Sequence, residues 1–391
     1  MSGQLSPEVD EFFQDIQQQV IKNNESSLSK YSTKSSQAAR LRPEPPDHRN
    51  PFALDRDRIL YSGAFRRYSG KTQVIYFASQ LDEMLSSRSI HTLSVAQISR
   101  TIGKFLGLNE DLIEAIALAH DLGHSPFGHD GEKFLSKICQ ERGIGEYHHH
   151  IQSLHIVDQI AKRGHGLNLT FQVRDGILSH DGEVHNQSLT PQTGKNEQNL
   201  IDYIHKRKSG MTLEMMPATM EGCVVRITDT IAYVGQDIED AIRIGLIKRS
   251  EIPRDLAEFL GSTNGEIINT LVKDVIFNSY NKSHICFSKA VSDQLQRLKK
   301  FNYQHIYHSE KLNKNHFKVE LGFNLMFDHF LRELKQEIMN SRVFIHFLNY
   351  KEKPYLEITN DAEKIRDYIA GMTDRYFLEV LQEIILPEMG I

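Results

Sequence analysis

The sequence predicts a mostly α, single-domain architecture, and three observations carry that prediction. Apolar residues recur at three- and four-residue spacing along most of the chain, the period of a helix with one buried face. Strict apolar-polar alternation is sparse, and at most a small β element is expected, near Val343 to Glu357. A chain of 391 residues is also long enough to bury a substantial core. The expected division is an N-terminal arm over 1–50, a core unit over 51–245, and a C-terminal helical region over 246–391 that completes the same globular unit.

Composition narrows the function classes. A net charge of -5 gives no general basic field, so generic nucleic-acid binding is not the first reading, although local basic patches leave nucleic acid open. Cys139, Cys223 and Cys286 are few, odd in number and far apart, which fits reduced thiols in a cytoplasmic protein and argues against a cysteine-based zinc site. No run approaches the length of a membrane span, and no positive-then-apolar leader opens the chain.

Along the chain, Ser6 and Pro7 open a short helix to about Ile21; the rest of the arm reads as loop, with Arg40 and Arg42 either at the surface or reaching a phosphate or a second subunit. The stretch from Asn50 to Val74 carries Arg66, Arg67 and Lys71, which form either a solvated basic face or charge-assisted donors for phosphate. A helix from Thr92 to about Phe105 follows Arg88-Ser-Ile-His91. The short Gly107-Leu108 connection then folds the next helix back, bringing His91 near that helix's end.

That next helix is capped by Asn109, has Glu110 and Asp111 in its first turn, and should end at Gly123. It runs into His120-Asp-Leu-Gly-His124-Ser-Pro-Phe-Gly-His129-Asp-Gly-Glu132, where three histidines and three carboxylates stand among glycines. A lone histidine in a chain with 19 of them is usually a hydrogen-bonded core residue; this density is not. Further on, His148-His149-His150 leads into another helix, with one ring expected at the site and two in solvent. Residues 164–218 read as a loop region flanking the site. His180-Asp181 falls inside it and, with no long helix before it, ranks below His120-Asp121. Glu221 to Asp240 reads as one helix on which Asp229, Tyr233 and Asp237 share a face, in apolar surroundings where carboxylates need a cation or donors. The C-terminal part is helical periodicity interrupted near Pro354, and its last block, from Lys364 to Tyr376, either borders a pocket or packs on the core.

His91, then His120-Asp121, then a distant Asp229 resembles the HD superfamily of metal-dependent phosphohydrolases. Phe65-Arg-Arg-Tyr-Ser-Gly-Lys-Thr-Gln73, the central His120 to Glu132 motif, Asp229 to Asp237 and Ile369-Ala-Gly-Met-Thr-Asp-Arg375 are together similar to its deoxyguanosine triphosphate triphosphohydrolase (dGTPase) branch. The resemblance implies an HD-type core over 51–245, a homo-oligomer, and room for a nucleotide effector. It implies His91, His120, Asp121 and Asp229 as ligands of a divalent metal, with His129 and Glu132 acting at the reacting phosphate and His124 and His149 next in line. Arg88 would touch phosphate, Tyr233 and Asp237 the deoxyribose, and Arg66, Tyr368 and Arg375 would complete the substrate contacts. Where the family has Glu-His-Asn, this chain has His148-His149-His150, so only His149 keeps the matching position.

Two imidazoles and two carboxylates leave open positions on an octahedral ion, which suits Mn²⁺, Mg²⁺, Fe²⁺ or Ni²⁺ better than a closed zinc site. The resemblance implies hydrolysis of a deoxynucleoside triphosphate (dNTP), dGTP included, to deoxynucleoside and tripolyphosphate by attack at the α-phosphorus. Two alternatives stand beside it: another HD phosphoesterase acting on a nucleoside monophosphate or a signalling nucleotide, and a non-catalytic nucleotide-sensing module.

Overall fold

The computed structural model describes residues 7–45, 47–73, 85, 87–182, 188–309 and 315–386. At its centre lies α4 (Glu110–Ala119), capped by the Asn109 side chain accepting from the Leu112 amide. All but one of its residues from Leu112 to Ala119 are buried, because four helices surround it. These are α2 (Pro51–Leu60), α3 (Arg88–Leu106), α7 (Phe171–Ser179) and α9 (Met220–Val234). Each Leu or Ile so covered contributes roughly 1.5–3 kcal/mol. The α3–α4 hairpin turns at Gly107, whose φ of 66° lies where only glycine is unstrained.

Helices α5 (Gly128–Glu141) and α6 (His149–His155) follow the central loop, and α8 (Glu197–Lys208) lies beyond α7. The region 164–218, read as loop from its Gly, Asn and Pro content, therefore holds two helices. Arg174 and Asp175 broke the apolar pattern of α7, yet both are buried and paired, Arg174 with Asp158 at 2.8 Å and Asp175 with Lys195 and the Ala218 amide. The helix read as one piece from Glu221 to Asp240 breaks at Gly235 into α9 and α10 (Gln236–Arg243). A Cβ at Gly235 would stand 2.6 Å from Asn264 Oδ1, so the break and the glycine admit the start of α11 (Asn264–Ser279).

The N-terminal segment opens with α1 (Pro7–Ser26), longer than read; Ser6, its expected cap, lies outside the described residues. The chain between α1 and α2 is not a loose arm. Ser32 and Thr33 donate to Glu221 of α9 at 2.8–2.9 Å, and Arg40 pairs with the fully buried Asp55 at 2.6 Å. Arg40 thus satisfies a carboxylate inside the fold, which a buried charge requires.

Helices α12 (Lys289–Asn302), α13 (His316–Lys335), α14 (Asp361–Ala370) and α15 (Asp374–Ile385) complete the structure, with α13 packed on α5, α14 and α15. The small β element expected near Val343 to Glu357 is instead a run of helical turns, Arg342–His346, Leu348–Tyr350 and Lys353–Leu356. Its buried residues Val343, Leu348 and Tyr355 are not spaced two apart, as a half-buried strand needs. Among the described residues extended pairing is limited to isolated bridges, and no helix is long and apolar enough to cross a membrane.

Candidate metal and phosphate site

Two helices end alike in the middle of the protein. At the end of α4, His120 Nδ1 donates to the Ala117 carbonyl at 2.7 Å; at the end of α7, His180 Nδ1 donates to the Ile177 carbonyl at 2.7 Å. Both rings are thereby fixed with Nε2 facing the same space, and their centroids are 4.9 Å apart. His91, in the first turn of α3, brings its ring to 5.7 Å from His120, as the hairpin reading required. Gly123 lets the central loop press against α6: a Cβ there would lie 2.2 Å from the His149 carbonyl oxygen. Asp374, at the start of α15, holds the same loop from the other side by accepting from the amides of Thr72 and Phe127 at 3.1 and 3.0 Å. The buried Lys71 donates to the carbonyls of His124 and Ala370, so it braces this loop rather than offering a charge to solvent. Burial lowers its pKa to about 7.

The carboxylates sit among these rings. Asp229 Oδ1 is 2.9 Å from His91 Nε2 and 3.7 Å from His120 Nε2. Asp121 Oδ2 accepts from Arg88 at 2.8 Å and lies 3.6 Å from His120 Nε2, while its Oδ1 faces His124 at 3.1 Å and His180 at 3.6 Å. Burial would push both carboxyls up, but the surrounding imidazoles hold both well below the usual range. His120 Nε2 is buried with no hydrogen-bond partner. That orphan, the 2.9–3.7 Å spacings and the N/O donor set fit a divalent ion. Adjacent ligands on bonds of about 2.0–2.2 Å stand roughly 3.0–3.4 Å apart.

Beside this set lies a second group. Glu132, one turn into α5, accepts from the backbone amide of His149 at 2.8 Å and from its Nδ1 at 3.0 Å. Burial alone would lower the His149 pKa; the Glu132 carboxylate outweighs it and raises it to about 9. His124 stacks on His149 with centroids 4.1 Å apart, and burial and Arg88 hold it neutral, well below the usual histidine range. His129 is mostly exposed, its Nδ1 3.7 Å from Glu132.

The predicted substrate residues divide. Arg88 is buried on Asp121. Tyr233 and Asp237 line one cavity with His91, Gln73, Gln236 and Asn264, and α10 returns Asp237 to it despite the break at Gly235. Asp237 accepts from Tyr307, and burial raises its pKa to about 7. Arg66 is exposed. Tyr368 packs between Phe330 and Phe347 with its hydroxyl 2.9 Å from that of Tyr376, and Arg375 stands in solvent beside Glu379, so neither joins the histidine cluster. In the triple histidine, His149 and His150 are both buried and His148 is largely covered, against the expectation of two solvated rings. His180, ranked below His120 in the sequence, lies beside it and 3.6 Å from Asp121, and the repeated His-Asp dipeptide is the signal that marks it. Tyr307, which donates to Asp237, carries no motif in the sequence.

A helical core with a His, His-Asp, Asp cluster at its centre defines the class, and comparison with known proteins agrees. The HD domain model matches residues 88–233 and the Phosphohydrolase-associated domain model residues 285–383. The chain is 39% identical over 362 residues to a deoxyguanosinetriphosphate triphosphohydrolase-like protein of Caldanaerobacter subterraneus subsp. tengcongensis, covering 92% of this chain and 93% of that protein. Like-named proteins of Clostridium perfringens (36% over 371 residues, 92% and 94% covered) and Desulfatibacillum aliphaticivorans (35% over 365 residues, 92% and 95% covered) are similar. The chain belongs to the family of deoxyguanosinetriphosphate triphosphohydrolase-like HD phosphohydrolases.

Proposed function

We propose that this protein hydrolyses dNTPs, dGTP among them, at the α-phosphorus, releasing deoxynucleoside and tripolyphosphate. The observation that carries the reading is the meeting of His91, His120 and Asp229, with Asp121 3.6 Å from His120 Nε2 and that buried nitrogen left without a hydrogen-bond partner. These four residues would hold a divalent ion, which when bound supplies Lewis-acid neutralisation of phosphate charge. Arg88 adds a guanidinium at the same carboxylate, 2.8 Å from Asp121, where it can share its remaining donors with a phosphate oxygen. Water adds to the α-phosphorus as its bond to the 5′-oxygen breaks; His149, kept as imidazolium by Glu132, stabilises the charge gathering on the phosphate, and the exposed His129 supplies a proton to the departing 5′-oxygen and regains one from the water that has attacked.

Tyr233 and Asp237 support selection of the sugar, because the cavity they line also contains His91. An Asp237 carboxyl bonded to the 3′-hydroxyl and a ring packed on the sugar leave little space for a 2′-hydroxyl. GTP is therefore a poor substrate beside dGTP, and Tyr233→Ala narrows the gap.

The test is incubation with each dNTP and with GTP in Mn²⁺, Mg²⁺, Fe²⁺ or Ni²⁺, followed by ion-exchange separation of products. Deoxynucleoside and tripolyphosphate in equal amounts support the reading. Pyrophosphate or orthophosphate as the first product, or turnover of monophosphates only, overturns it, and nucleotide binding without turnover in any metal points to a sensing module.

A further inference from the structure

The triple histidine contains more ligand chemistry than the proposed phosphate chemistry uses. His149 spends Nδ1 on Glu132, so Nε2, which makes no hydrogen bond and has Asp121 Oδ1 4.0 Å away, is the nitrogen left to ligate an ion once its proton is displaced. His150 is 1% exposed, its Nε2 lying 3.3 Å from the Tyr203 hydroxyl, an outer partner of the kind that fixes the ring of a ligating histidine. Its Nδ1 is 3.3 Å from Asp181 Oδ2, yet it makes no hydrogen bond there, because the approach is off the donor axis. A buried nitrogen facing a carboxylate at that distance without a hydrogen bond is poor as an ion pair. It is well placed as two corners of a tetrahedron, since ligands on bonds of about 2.0–2.1 Å stand roughly 3.3–3.4 Å apart. One ligand atom from each of His149, His150 and Asp181 lies within 4.8 Å of the others. The Asp181 side chain is 35% exposed, which gives an ion a way in from solvent.

We propose that His149, His150 and Asp181 form a second transition-metal site beside the His91, His120, Asp121 and Asp229 set. Two imidazoles and one carboxylate with a position open to water favour Zn²⁺ over Mg²⁺. Occupancy takes Nε2 of His149, so on the phosphate chemistry proposed above, zinc at this site restrains hydrolysis; the site itself does not depend on that reading.

The experiment is zinc stoichiometry by equilibrium dialysis and elemental analysis on the full chain, for wild type, His150→Asn, Asp181→Asn and Asp229→Asn. Asp181 is partly solvent-facing, so its variant keeps the test usable should the buried His150→Asn fail to fold. Wild type is expected to retain about two zinc ions per chain and each of the three variants about one, with His150→Asn plus Asp229→Asn retaining none. Two ions in Asp181→Asn, or one in wild type that Asp229→Asn removes, overturns the second site and leaves the first intact. One ion in wild type that Asp229→Asn keeps and Asp181→Asn loses supports the second site and shows that the first does not take zinc.

Discussion

The protein contains His-Asp at the end of two buried helices, and the two pairs begin identically. His120 and His180 both donate Nδ1 to the carbonyl three residues back at 2.7 Å, and both point Nε2 inward. They part at the aspartate. Asp121 is 4% exposed and ringed by Arg88, His120, His124 and His180, whereas the Asp181 side chain is 35% exposed and turns to His150. A dipeptide therefore fixes one ring by local geometry, while what surrounds its carboxylate decides how many further rings and charges the pair gathers.

The severest test of that contrast is Asp121→Asn, which removes the carboxylate shared by four partners. Metal retention and turnover should fall together, by several kcal/mol of transition-state stabilisation or about 10³–10⁴ in kcat/KM. Metal content at the wild-type level with a near-normal rate would place the chemistry elsewhere. Next comes His149, which lies 4.0 Å from Asp121 and is raised by Glu132 to about 9, so its charged form is present below that pH and is lost above it. The rate should fall as pH rises through about 9. Glu132→Gln should cost on the order of 10² and move the alkaline limb down by about one unit or more, because it removes the opposite charge. An unmoved limb would show that Glu132 does not hold the proton on His149.

His180→Asn should cost roughly 10–100-fold in metal affinity or rate, the range for groups that orient a ligand, since its Nε2 faces Asp121 at 3.6 Å. Isothermal titration with Mn²⁺ measures it. A loss equal to that of Asp121→Asn would make the two pairs equivalent. The smallest effect belongs to Asp181→Asn: hydrolysis in the preferred metal should stay within about twofold of wild type, the span of an ordinary partly exposed substitution.

Much of this was legible before any coordinates. Helical period, the Asn109 cap and the Gly107 turn located α3 and α4, and with them the meeting of His91 and His120. Local chemistry sufficed there because capping and hairpin geometry act over a few residues. It failed where charges were buried: Arg174 and Asp175 hid α7, and with it the helix that delivers His180, because their partners Asp158 and Lys195 are distant in sequence or across a loop.

By itself, the sequence determined the helical class and the family to which its motifs belong, and it singled out the His, His-Asp, Asp set as candidates. Only the tertiary structure decided that His149 rather than His129 is the ring bonded to Glu132, that Tyr307 covers Asp237, and that Lys71 and Asp374 brace the loop carrying His124. It also turned two like dipeptides to different neighbours. The physical reason is range: a ring tautomer and a helix end are set by atoms three residues away, but the charge, burial and partners of a carboxylate are set by every helix that packs around it.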